Sequence, residues 1–129
     1  MTPTIDDGEV LIVAPAAAHE VDVADVVFCQ TRSRSVAHRV LSISRGAAGA
    51  PRLTLCGDAS LEIDGPVTAG EVRGRVIAIE RAGQRLDVEV KGGFLARLAI
   101  LTAFELRRAL RRWHARAWLG PLAPTGAAG

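Results

Sequence analysis

Val72-Arg73-Gly74-Arg75-Val76-Ile77-Ala78-Ile79-Glu80-Arg81, then Ala82-Gly83-Gln84, then Arg85-Leu86-Asp87-Val88-Glu89-Val90 is the stretch that decides the fold class. Val72, Val76, Ile77 and Ile79 are β-branched, so their side chains are stiff at χ1 and pack best on an extended backbone. Ala82-Gly83-Gln84 carries turn chemistry, because glycine admits positive φ without a steric cost. After the turn, Leu86, Val88 and Val90 alternate with Arg85, Asp87 and Glu89. That period of two is the mark of a strand with one buried face. The whole stretch predicts a long β-hairpin.

Similar short runs recur upstream. Val10 to Val13 is apolar and is stopped by Pro15, and Val26-Val27-Phe28-Cys29 reads as a second strand. Gln30 to Ser35 is polar and suits a hairpin turn into a strand over Val36 to Ser44. That strand sets His38, Val40 and Ser42 on one face and Ala37, Arg39, Leu41 and Ile43 on the other. Gly46 to Pro51 is a loop, and Leu53-Thr54-Leu55-Cys56 is a further strand ending at Gly57-Asp58. Ala16 to Asp25 reads as a linker, and Asp64-Gly65-Pro66 as an ordinary turn. Short strands at this spacing predict a mainly β fold, a small barrel or sandwich over residues 1–91.

Downstream of Gly92-Gly93 the period changes. From Phe94 to about Trp118 the chain is helix-forming, with Leu95, Leu98, Thr102, Leu106, Ala109 and Trp113 on one stripe at three- and four-residue steps. Gly120-Pro121 ends it. The organisation expected is a β domain over 1–91, a basic amphipathic helix over 92–119 and a disordered tail over 120–129.

Composition narrows the function classes. With 129 residues, 49% of them apolar, the chain suffices for one domain with a real core and is not a disordered segment. A net charge of +2 argues against nucleic acid as a partner held by bulk electrostatics. Cys29 and Cys56 are too few and too far apart for a zinc knuckle, and each sits in an apolar run, as buried thiols do. No metal or other cofactor is expected. No secretory signal is evident at the N-terminus, and no apolar run reaches the roughly 18 residues needed to span a bilayer.

Four short boxes carry a resemblance. Met1-Thr2-Pro3-Thr4-Ile5, running into Gly8-Glu9 and an apolar strand, resembles the Ser-Met-x-Pro-Thr-(Ile/Leu) box of type I signal peptidases. Val36-Ala37-His38-Arg39-Val40 resembles that family's His-Arg-Val box. Gly57-Asp58-Ala59-Ser60 resembles its Gly-Asp-Asn/Ala box, with Asp64 where a second acid follows. Val72-Arg73-Gly74-Arg75-Val76 resembles its closing Val-x-Gly-Arg-Val strand. The order and spacing agree over roughly the first 80 residues. Val26-Val27 resembles the family's Gly-Asp-Val-Val segment, with Ala24 in the place of its glycine.

The resemblance implies a serine endopeptidase that cleaves extended peptides or preproteins with small residues before the scissile bond. It also implies association with a membrane. The family's nucleophilic serine stands immediately before the methionine, and nothing stands before Met1, so the chain as given is expected to be inactive. Of sixteen basic residues only Lys91 is a lysine, which removes the lysine base of the best-known bacterial branch. His38 stands in its place, as in the Ser-His-Asp branch. By resemblance, His38 is the general base, Asp64 the orienting acid and Asp58 a supporting acid, while Met1, Thr2, Pro3 and Ile5 line the substrate site. Histidine suits the task because its ordinary pKa lies near neutrality and an acid on one ring nitrogen fixes the tautomer.

Other readings stand beside this one. Gly57-Asp58 is a common turn signal, and a histidine on a strand is most often a surface or satisfied core residue. The chain then is a non-catalytic β module that binds an extended peptide or a protein partner. A self-cleaving repressor relative is a weaker reading, since the expected helix-turn-helix and lysine base are missing. For the helix, one reading packs it against the β domain with its arginines solvated. Another lays it on a membrane surface, as basic amphipathic helices containing tryptophan do.

Overall fold

The computed structural model describes residues 5, 6, 8–58 and 63–118. Among the described residues there are seven strands: β1 (Val10–Pro15), β2 (Val26–Gln30), β3 (Ser35–Arg45), β4 (Pro51–Cys56), β5 (Ile63–Thr68), β6 (Val72–Arg81) and β7 (Gln84–Asp87). One helix, α1 (Phe94–Trp118), follows. The expected tail over 120–129 lies outside the described residues.

The strands form one antiparallel sheet in the order β1-β6-β2-β3-β4-β5, with β7 also paired to β6. The fold is mainly β with a C-terminal helix, as expected, but the sheet does not close into a barrel. It ends at β1 on one side and at β5 on the other. Pro66 lies within β5, and a residue without an N–H is tolerated on an edge strand because no neighbour asks for its bond. The turn expected at Asp64-Gly65-Pro66 is corrected as well: all three lie within β5, where Asp64 pairs with Leu55 and Gly65-Pro66 fall at an irregularity in the register.

The decisive hairpin forms, though shorter than its alternation suggests. β6 and β7 pair from Ala78↔Asp87 to Arg81↔Gln84. Beyond Asp87 the N–H groups of Val88 and Glu89 both donate to the carbonyl of Ile77, which ends the regular ladder. Val88 and Val90 nevertheless stay buried, so the pattern reported burial correctly and strand length incorrectly. At the other end of β6, Arg81 is clamped to Glu9, just ahead of β1. The guanidinium holds the Glu9 carboxyl below its usual range.

Apolar residues cover both faces of the sheet. One cluster contains Val27, Cys29, Val40, Leu53 and Leu55, capped by Ala18 and Val21. The other contains Val26, Val76, Ile79 and Val88, with Ile5 and Leu11 packed on it. The segment read as a linker, Ala16 to Asp25, is therefore part of the core. Within it Ala24 is fully buried with φ 73°, the left-handed conformation for which glycine is best suited.

The helix meets the β domain on a side that the sequence stripe did not mark. Phe104 is buried, and Arg97, Ile100, Leu101 and Arg108 around it are half-buried. Arg97 Nη1 donates to the Val23 carbonyl at 2.9 Å and to Asp25 Oδ1 at 2.8 Å. The expected stripe faces away: Leu95, Leu98, Leu106 and Trp113 are all exposed. Among the described residues no helix is long and apolar enough to cross a membrane.

Candidate functional site

The β2–β3 hairpin and the β4–β5 pairing set the positions of His38 and Asp64. His38 lies opposite Val27, Val40 opposite Leu55, and Leu55 opposite Asp64. Directly opposed residues share a face, as do residues two apart on one strand. His38, Val40, Leu55 and Asp64 therefore belong to the same side of the sheet. Extending the β3–β4 register one residue past β4 puts Gly57 beside His38, a position with no side chain to intervene.

His38 and Asp64 meet there. Nδ1 of His38 stands 2.6 Å from Oδ2 of Asp64, and each side chain keeps 18% of its surface exposed. The two atoms are at ion-pair distance but off the hydrogen-bond axis, and among the described residues neither has a hydrogen-bond partner. Unliganded catalytic contacts are often misaligned in this way and tighten when substrate binds. The second oxygen of Asp64 accepts a bond from Arg34 Nη2, which reaches across from the β2–β3 turn. With Nδ1 turned to the carboxylate, Nε2 is the ring atom left to exchange a proton with a third group.

Asp58 is committed elsewhere. Arg39, next to His38 on β3, points to the opposite face, where it opposes Val26 and Cys56. Its Nε and Nη2 bind Asp58 Oδ1 and Oδ2 at 2.9 and 2.7 Å, and its Nη1 donates to the Ala24 carbonyl at 2.9 Å. Both side chains are almost completely buried, at 1% and 3% exposure. Asp58 Oδ2 also accepts the Ile5 N–H at 3.3 Å. The expected supporting acid thus buttresses Arg39 and ties down the N-terminal segment, and the structure does not bring it to His38.

Ile5 is half-buried against the cluster around Val26. Met1, Thr2 and Pro3, the other expected substrate-site residues, lie outside the described residues, as does Ser60. Ser33 and Ser35 are exposed in and beside the β2–β3 turn, and Ser42 and Ser44 are exposed along β3. Neither thiol is suited to attack at neutral pH. Cys29 and Cys56 are free, fully buried and on opposite faces. Burial pushes the Cys29 thiol up to about 11 and raises that of Cys56. Among the described residues no group of three or more His, Cys, Asp or Glu is placed to hold a metal ion.

Two residues absent from the sequence-based site emerge here. Arg39 had one signal: on an alternating strand it shares a face with Ala37 and Leu41, and a charge among apolar neighbours needs a buried partner. Arg34 had none, because its partner is thirty residues away across a turn that looked merely polar. The chain matches no protein-family model, and it matches none of the curated proteins or solved structures it was compared with.

Proposed function

We propose that this chain carries the base and acid of a serine endopeptidase acting on extended peptides with small residues before the scissile bond. The observation that carries the reading is the 2.6 Å approach of His38 Nδ1 to Asp64 Oδ2, two residues contributed by separate strands. The nucleophile in this reading is a serine hydroxyl immediately ahead of Met1, where the resemblance to type I signal peptidases puts it. His38 Nε2 takes the serine proton as the oxygen attacks the peptide carbonyl. The imidazolium so formed is stabilised by Asp64, and it returns the proton to the leaving amine. Water then repeats the cycle on the acyl-enzyme.

Sheet topology supports a place for an extended peptide in this reading. β1 is an end strand, paired to β6 and to no other strand among the described residues. An extended peptide can add to such an edge through main-chain bonds. The exposed side chains of Val10 and Val13 offer apolar contact along it. The same edge serves the second reading, a non-catalytic module that binds an extended peptide without cleaving it.

One experiment separates the two. The chain is extended by a serine before Met1 and incubated with peptides bearing alanine ahead of the scissile bond, with products read by mass spectrometry. The peptidase reading predicts cleavage that falls by about 10³–10⁴-fold or more in His38→Ala and substantially in Asp64→Asn. Peptide binding without cleavage, unchanged in His38→Ala, favours the module and rejects the peptidase.

A further inference from the structure

We propose that α1 lies in the plane of an anionic membrane surface, with its outward apolar face among the acyl chains and Arg112 and Arg116 at the headgroup phosphates. This inference rests on the helix alone and stands whether or not the chain is a peptidase.

The geometry starts from Phe104, the residue that roots α1 on the β domain. At 100° per residue, a position nine residues away is half a turn round. Leu95 and Trp113 are each nine residues from Phe104, and they are 77% and 66% exposed. Leu98, Leu106 and Leu110 fall within about 60° of that outward line and are exposed too. The helix therefore turns a leucine-rich arc with a tryptophan at its centre directly into solvent. Monomeric proteins rarely leave a contiguous apolar surface of this kind uncovered.

The charges say what covers it. Within α1 there are six arginines and one acid, Glu105. Arg97 and Arg108 turn toward the β domain. Arg112 and Arg116 are exposed along one margin of the apolar arc, whereas Arg111 falls about 20° from the Phe104 line and Arg107 lies over the Phe104 ring at 5.9 Å. An apolar arc flanked by the cations of Arg112 and Arg116 matches the boundary between acyl chains and phosphates, where arginine stems lie on the hydrocarbon and their heads reach the anions. Tryptophan favours the same depth. The helix spans about 37 Å. It is not apolar enough to cross a bilayer, so it lies along one.

The test uses the full chain with Trp118→Phe, leaving Trp113 as the only tryptophan. It is mixed with vesicles of phosphatidylcholine containing about a third phosphatidylglycerol, and with phosphatidylcholine alone, and each is floated through a density gradient. The expected result is flotation with the anionic vesicles only, with a blue shift of Trp113 emission. Arg112→Gln with Arg116→Gln weakens binding by about 30-fold, from roughly 1 kcal/mol per arginine. Leu95→Glu with Leu98→Glu abolishes both flotation and blue shift while circular dichroism stays unchanged, because both positions are exposed. Failure to float overturns the proposal. So does flotation without a Trp113 shift, which marks a contact of charge only. Dimerisation removed by the Leu95→Glu and Leu98→Glu pair, with no vesicle binding, assigns the face to a second copy and also overturns it.

Discussion

Replacing Arg39 by methionine removes a cation that sits in a nearly closed compartment with three hydrogen bonds, two to Asp58 and one to the Ala24 carbonyl. Asp58 is left buried and, among the described residues, keeps only the Ile5 N–H, at 3.3 Å, to offset its charge. Breaking one partner of such a pair typically costs about 3–5 kcal/mol, because the surviving charge has lost both water and partner. For a domain of this size, with a total stability on the order of 5–15 kcal/mol, that removes a large share. It lowers the melting midpoint on the order of 15–30 °C. The double change, Arg39→Met with Asp58→Leu, removes both charges and refills the space with apolar atoms. Its cost is expected to fall at least about 2 kcal/mol short of the two single costs added together. Urea denaturation followed by circular dichroism in the strand region measures all three variants. A single Arg39→Met cost below about 1 kcal/mol, or strict additivity in the cycle, refutes the claim that this pair is buried and mutually dependent.

Phe104→Ala empties the contact that roots α1 and is expected to cost about 3–5 kcal/mol in denaturant unfolding. A loss within about 0.5 kcal/mol means that the helix is not docked there. For the thiols, burial raises the Cys29 pKa from 9.0 to about 11, so the folded state keeps a proton that the unfolded chain begins to lose near pH 9. The unfolded state then binds fewer protons, and the Cys29 contribution is fully present below pH 9 and is lost as pH rises through about 11. Cys29→Ala is expected to flatten that alkaline decline in a pH series of denaturation curves. Both thiols are expected to resist a disulfide reagent at pH 8 until denaturant is added, and rapid labelling of the native protein contradicts their burial.

What the sequence disclosed depended on how far each signal reached along the chain. The β6–β7 hairpin was legible because β-branching, a glycine turn and alternation are local and agree with one another. β5 was not, because an aspartate, a glycine and a proline in succession have turn chemistry, and only their edge position makes them a strand. The linker before β2 was misread for a related reason. Ala18, Val21 and Ala24 are spaced without a strand or helix period, yet all three are buried by residues distant in sequence. In α1 the stripe of leucines was found correctly and its direction was not. Periodicity identifies an apolar face but does not say what it faces, and here Phe104 and Arg97 anchor the opposite side. His38 and Asp64 were named from a resemblance and meet in space, whereas Asp58 serves the other face. Alternation along β3 carried that distinction, since adjacent residues such as His38 and Arg39 must point to opposite sides.

The most direct test of the His38–Asp64 pair needs no nucleophile. With isotope-labelled histidine, nuclear magnetic resonance reports which ring nitrogen of neutral His38 carries the proton, with His38→Gln assigning the signal against the exposed His19 and His114. The expected result is the Nδ1–H form, with the proton toward Asp64 and Nε2 open, and loss of that preference in Asp64→Asn. A ring protonated on Nε2, or a His38 signal that Asp64→Asn leaves unmoved, contradicts it.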